Sequence, residues 1–98
     1  MSVFHIVRFP ATREQHERAE QLHPGLYAKV IETGRKHGLL WHRRVYNVDG
    51  IMDIDEWESE EGMEAFRAEV APMLKLLAEA RGSGPPTVET WYPIDAGH

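Results

Sequence analysis

The chain contains no cysteine. Disulfides, iron–sulfur clusters, thiolate zinc sites and a cysteine nucleophile are thereby excluded. It has no apolar run approaching the ~18 residues that span a bilayer, so no membrane partner is expected. Positive charge is also short: 11 Lys and Arg stand against 16 Asp and Glu, a formal net charge of −5. Nucleic acid needs a basic stripe to meet its phosphates, and the cations here are scattered among acids. The amino-terminal stretch lacks a basic start followed by a long apolar run, so it does not read as a signal peptide. A cytoplasmic protein is expected. Internal repeats and low-complexity segments are missing too.

What is present fits one small domain over residues 1–98, with a tail over 93–98. Hydrophobic residues make up 42% of the chain. A domain of this size hides roughly 60–70% of its unfolded surface, so a further buried surface such as a dimer interface would be useful.

Local signals order the elements. Val3 to Phe9 is rich in β-formers, and Pro10 ends the run because proline cannot donate to a ladder. Thr12 and Gln15 have capping-box spacing, opening a helix from Arg13 to about Leu22. Pro24-Gly25 then makes either a kink or a short loop before a helical piece from Leu26 to His37, which Gly38 stops. Leu39 to Val48 and Ile51 to Glu58 read as strands joined by an Asp49-Gly50 turn, since a two-residue hairpin favours residues that tolerate positive φ. Ser59 caps a helix from about Glu60 to Arg81, with Glu60 and Glu61 in its positive first turn. Met63, Phe66, Val70, Met73, Leu74 and Leu77 form its apolar stripe, and Pro72 should bend it. After Gly82-Ser-Gly-Pro-Pro86, Thr87 to Pro93 is the last strand. The order β-α-β-β-α-β is the split βαβ arrangement of a ferredoxin-like α+β sandwich.

The hairpin predicts the sheet faces. A loop at Asp49 and Gly50 pairs Val48 with Ile51, Tyr46 with Asp53, Arg44 with Asp55 and His42 with Trp57, all on one face. Trp41, Arg43, Val45, Asn47, Met52, Ile54 and Glu56 take the other. The Val45–Met52–Ile54 face, joined by Phe4 and Ile6, is the expected floor for the helices. The face with His42, Arg44, Tyr46, Asp53, Asp55 and Trp57, together with His5, is then expected to meet a second subunit or a ligand.

The segment Asp55-Glu-Trp-Glu-Ser-Glu-Glu-Gly-Met-Glu-Ala-Phe66 resembles the strand-to-helix junction of antibiotic biosynthesis monooxygenase-like proteins, members of the dimeric α+β barrel superfamily. His5-Ile-Val-Arg-Phe-Pro10, Gly38-Leu-Leu-Trp-His42 and Pro85-Pro-Thr-Val-Glu89 resemble the first strand, the second strand and the approach to the last strand of small bacterial members. The resemblance implies a homodimer with two sheets face to face, and a pocket either between sheet and helices or within the barrel. It also implies a chemistry. Some members oxidise aromatic polyketides with molecular oxygen and neither metal nor flavin, the deprotonated substrate supplying the electrons. Such a site needs a base or hydrogen-bond donors near a phenol and walls that exclude water. The haem-degrading branch instead carries a Trp, a haem-ligating His and a strand Asn. The corresponding helix positions here are Phe66 and Leu76, and residues 1–10 hold no Asn.

The expected function is therefore cofactor-independent monooxygenation of a small aromatic or hydrophobic compound. The alternatives are a ligand-binding homodimer without catalysis and a lactone isomerase-like proton shuttle. His5 and His42 are the candidate acid–base residues, because an unperturbed imidazole titrates near neutral pH. Arg44 would orient a substrate oxyanion. Tyr46 and Trp57 would wall the pocket, Trp57 also being a natural core residue. Asp53 and Asp55 are further substrate-binding candidates and would matter most to a proton shuttle. Arg44–Asp55 as a plain cross-strand ion pair is the bland alternative. No metal site is expected: His16, His23 and His37 form no His-x-x-x-His pair on one helix, and the acidic run from Asp53 to Glu61 lacks the spacing of a calcium loop.

Overall fold

The computed structural model describes residues 2–94; most of the expected tail, 95–98, lies outside them. The elements follow one another as β1 (Val3–Phe9), α1 (Arg13–Leu22), α2 (Leu26–Lys36), β2 (Leu39–Asn47), β3 (Gly50–Trp57), α3 (Glu60–Arg81) and β4 (Thr87–Trp91). The strands form one antiparallel sheet in the order β2-β3-β1-β4, which is the ferredoxin-like α+β arrangement expected. No helix among the described residues is long and apolar enough to cross a membrane.

Caps and breakers act where the sequence puts them. Thr12 Oγ1 accepts from the Gln15 backbone N–H at 3.1 Å, and Gln15 Oε1 accepts from the Thr12 N–H at 2.8 Å. Between Leu22 and Leu26 the chain breaks into two helices. Pro24 has no N–H to give and crowds the residue before it, and Gly25 turns left-handed at φ 79°. Ser59 Oγ caps α3 by accepting from the Gly62 N–H at 3.1 Å. From there α3 runs through Pro72 to Arg81 as one element.

The hairpin loop lies one residue earlier than expected, which shifts the cross-strand pairing by two residues. Val48 and Asp49 form the loop, and Asn47 pairs with Gly50. Neither loop residue has positive φ, so this is not the primed turn that Asp-Gly usually signals. The Asn47 side chain instead holds the turn by accepting from the Asp49 N–H at 2.8 Å. Tyr46 therefore faces Ile51, Arg44 faces Asp53 and His42 faces Asp55. A shift of two residues keeps every side chain on its face, so the predicted groupings survive while the partners change.

The assignment of those faces is reversed. The helices cover the face of Val3, His5, Val7 and Phe9 on β1, His42 and Arg44 on β2, and Ile51, Asp53, Asp55 and Trp57 on β3. Trp57 is 1% exposed and decides the matter. It packs on Phe66 of α3 with ring centroids 4.8 Å apart, inside a core that includes Val3, Val30, Met63, Val70 and Leu77. The largest apolar area on β3 thus goes under the helices and carries its polar neighbours with it. The opposite face holds Phe4, Ile6, Met52 and Ile54, with Trp41, Val45 and Trp91 exposed. No layer of the described chain covers it. A register shift in β2 between Leu39 and Trp41 marks a bulge at Leu40. It lets Leu39 pack on the core while Trp41 turns outward.

Close approach of α3 to the end of α2 depends on Gly62. A Cβ there would stand 2.1 Å from the His37 carbonyl oxygen, a backbone atom that cannot swing aside. Gly62→Ala is therefore expected to destabilise the fold by about 1–3 kcal/mol, the usual cost of overpacking. Denaturant unfolding of the two proteins measures it, and an unchanged midpoint contradicts the contact.

Candidate active site

Pairing across the central strands sets side chains in rows beneath the helices. Val3, Trp57 and Leu39 form the first row and close the core. His5, Asp55 and His42 form the second; Val7, Asp53 and Arg44 the third; Phe9, Ile51 and Tyr46 the fourth. Between the sheet and α2 and α3 lies a cavity of about 690 Å³. His5, Val7, Phe9, His42, Arg44, Asp53 and Asp55 line its floor. Its roof comes from Tyr27 and Val30 of α2 and from the Phe66–Leu74–Leu77–Arg81 side of α3. Glu64, Arg67 and Lys75, all exposed, mark where it opens.

Two polar clusters stand side by side. In one, His42 Nδ1 lies 2.5 Å from Asp55 Oδ1, and His42 Nε2 meets the Tyr27 hydroxyl. A carboxylate only accepts, so Nδ1 carries a proton; with that tautomer the Nε2 lone pair faces the Tyr27 O–H. Burial pushes the Tyr27 phenol well above its usual range, although Arg44 opposes this; Tyr27 is thus held as a donor. Hydroxyl, imidazole and carboxylate form a continuous relay, the logic of a hydrolase triad.

In the other cluster, Arg44 Nε and Nη2 donate to the two oxygens of Asp53 at 2.6 and 2.8 Å. Arg44 Nη1 lies 3.2 Å from His16 Nδ1 on α1, which makes Nδ1 the acceptor and places the His16 proton on Nε2. The Arg44 guanidinium also lies 4.0 Å over the Tyr27 ring. Burial works against the charge of Arg44, but its bonds to Asp53 more than compensate. Arg44 and Asp53 are both largely buried, where a fork-to-carboxylate pair holds geometry better than any single contact.

His5 is 5% exposed, and its Nε2 has no partner. Burial pushes its pKa down, and nearby Arg67 adds to this. His16 is lowered in the same way, by burial and then by Arg44. Both imidazoles are therefore neutral at pH 7.

Five of the seven predicted site residues, His5, His42, Arg44, Asp53 and Asp55, come together around this cavity. Tyr46 and Trp57 do not line it. Tyr46 sits at the hairpin end, largely exposed, and accepts from Arg13 Nη1 at 3.0 Å; Trp57 is spent in the core. The sequence reading missed Tyr27 and Arg81. Each had a signal. Tyr27, Val30, Ile31 and Gly34 follow helical spacing on the buried side of α2, and Leu74, Leu77, Ala78 and Arg81 continue the α3 stripe to its last turn. A Tyr and an Arg on otherwise small or apolar faces mark polar groups turned inward. His37, weighed with His16 at the sequence level, lies elsewhere, with Nε2 2.8 Å from Glu69.

No family model matches the chain, and no curated protein does. Solved structures do. A cofactor-independent oxygenase of Streptomyces nogalater, SnoaB, superimposes with a TM-score of 0.69 at 13% identity, over 98% of this chain and 96% of that one. A Streptomyces coelicolor monooxygenase, ActVA-Orf6, in complex with nanaomycin D, gives 0.66 at 21% identity over 97% and 89%. A further antibiotic biosynthesis monooxygenase gives 0.70 at 14% identity over 94% and 98%. The chain thus has the fold of antibiotic biosynthesis monooxygenase-like proteins, over nearly its whole length.

The buried histidines make stability depend on pH. Their native pKa values lie below the unfolded value of 6.5, so below about pH 6.5 the unfolded chain takes up protons that the native state resists. Stability is full above that pH and falls as pH drops toward the lowered native values. Denaturant midpoints at pH 7.5 and 5.5 should show the loss, and His5→Phe should shrink it. An unchanged difference in the variant contradicts a buried neutral His5.

Proposed function

We propose that this protein is an oxygenase of small aromatic or hydrophobic compounds that uses neither metal nor flavin. The observation that carries the reading is the Tyr27–His42–Asp55 relay, which ends at a cavity walled largely by apolar side chains. The likeness to SnoaB, described as a cofactor-independent oxygenase, supports it. Such chemistry asks a protein for only three things: a route for one proton, a stabiliser for the resulting anion, and a dry enclosure.

The residues supply each. A phenol or enol bound beside Tyr27 passes its proton to the Tyr27 oxygen as the Tyr27 proton moves to His42 Nε2. Asp55 stabilises the imidazolium. Arg44, fixed by Asp53 and His16, turns its remaining N–H groups and its charge toward the substrate oxyanion. The electron-rich anion reduces molecular oxygen and forms a carbon–peroxide bond. The peroxide takes back the proton held on His42 and loses water, leaving a carbonyl. In sum, a CH2 group and O2 become C=O and H2O.

His42→Gln should lower oxygen uptake with an anthrone or dihydroxynaphthalene by about 10²–10⁴-fold, the usual contribution of a positioned acid–base group. Tyr27→Phe should also slow it. Wild-type rates in His42→Gln, or no uptake with any such phenol, would end the reading. A second reading retains the relay and omits oxygen: a lactone isomerase-like enzyme uses the same proton route, and turnover under nitrogen separates the two. A cavity that binds ligand without turnover in either assay is the remaining alternative.

We further propose that the protein works as a homodimer through its uncovered sheet face. Phe4, Ile6, Met52 and Ile54, with exposed Trp41, Val45 and Trp91, give a largely apolar face, interrupted by Arg8, Arg43, Glu56 and Glu89, of the kind that marks interaction sites. A second copy can bury the same patch on itself. In sedimentation, Ile54→Lys should convert a dimer to monomer; a wild-type monomer at micromolar concentration would refute the interface.

A further inference from the structure

The helix dipole favours a cation in the last turn of α3, but it gives no reason for Arg81 to be buried. It ends the buried stripe of α3, is 6% exposed and lines the cavity. Its Nε–H is buried without a partner, and among the described residues it makes no ion pair. Its guanidinium lies 4.6 Å from the centroid of Phe9, whose ring also lies 5.3 Å from the Arg44 guanidinium. Two guanidinium groups thus share one aromatic ring, and the carboxylate nearby, Asp53, already gives both oxygens to Arg44. Burial and the charge of Arg44 both work against protonated Arg81. A buried charge and a buried N–H left without partners each cost free energy, so this end of the cavity favours an arriving anion.

We propose that the cavity takes an aromatic carboxylate, with the carboxylate seated on Arg81 beside Arg44 and Phe9 and the ring system directed toward the His42 row. This deepens the functional reading above by naming the substrate class. One unit of positive charge is unmatched at the Phe9 end, which suits a monoanion. A phosphate dianion would overshoot and face Asp53 as well. A planar carboxylate fits the guanidinium fork. The spacing suits an extended molecule, since Phe9 and His5 stand four residues apart on β1, or about 13 Å along the strand. His5, the other lining residue with an unpartnered polar atom, stands at the far end.

The test is calorimetric titration of the intact protein with 2-naphthoate and with its neutral analogue, 2-naphthalenemethanol. Wild type should bind the acid about tenfold or more tightly than the alcohol, as expected for a charge-assisted contact in a cavity. Arg81→Gln should lose that preference and keep alcohol binding. Arg81→Lys should retain part of it, and Lys75→Gln, at the opening, should retain it in full. Equal binding of acid and alcohol by wild type, failure of naphthoate to bind, or a preference that persists in Arg81→Gln each overturns the proposal. The wild-type comparison decides even if the Arg81 variants fail to fold. Oxygen uptake separates the two inferences. Naphthoate preference without any uptake supports the anion site and ends the oxygenase reading. Uptake with neutral phenols by a wild type that shows no preference does the reverse.

Discussion

Asp53 and Asp55 lie on the helix-covered face of β3, where a carboxylate needs a partner. Removing a charge from water costs several kcal/mol unless a partner and further hydrogen bonds offset it. Each finds that partner directly across the β2–β3 pairing, Arg44 for Asp53 and His42 for Asp55. The hairpin register is therefore also the charge register. A two-residue slip would set Arg44 against Asp55 and leave Asp53 opposite Tyr46, which has no charge to give. The Asn47–Val48–Asp49 turn thus does more than reverse the chain. It decides which acid holds the imidazole and which holds the guanidinium, and so separates an imidazole–carboxylate cluster from a guanidinium–carboxylate one.

The helices complete what the sheet begins. α1 brings His16 to Arg44, and α2 brings Tyr27 to His42 and under the Arg44 guanidinium. Both contacts need the chain to break at Pro24-Gly25, because on one straight helix His16 and Tyr27 would stand roughly 16 Å apart along the axis, whereas their ring centroids lie 6.0 Å apart. At the other end of the cavity α3 carries Arg81 in its final turn, where a cation also suits the helix dipole. The helix stops immediately after it, at left-handed Gly82. The cavity therefore has a polar floor, a mostly apolar roof and a cation at one end. That distribution underlies both functional inferences.

Much of this was legible in the chain. The capping box at Thr12, the Ser59 cap and the α3 stripe are local signals, and α3 begins and ends where those signals put it. The grouping of residues by sheet face was legible because alternation survives an even register shift. Partners across the hairpin were not, because Asp49-Gly50 carries a strong turn signal while the actual loop lies one residue earlier, held by the Asn47 side chain. The choice of covered face also ran against the pattern. Both faces are rich in large apolar groups, and the polar set seemed the less suitable floor for helices. Trp57 outweighed it, since burying that ring against Phe66 brings Asp53 and Asp55 along. Tyr27 was hidden by its helix, where periodicity shows which side faces in but not which inward residue meets a polar group. Arg81 was hidden by its place at a helix end, where a cation is ordinarily read as dipole compensation.

The bulge at Leu40 divides β2 into two phases. Leu39 and His42 both point inward although an uninterrupted strand would set them on opposite faces. The core and the site are thus served by one strand only because a single extra residue lies between them. Point substitutions along β2 leave this arrangement intact, since they alter side chains and not phase. Loss of one residue at the bulge would restore strict alternation and force a choice: either Leu39 leaves the core or His42 and Arg44 leave the cavity. The site is for that reason sensitive to the length of this strand as well as to its residues.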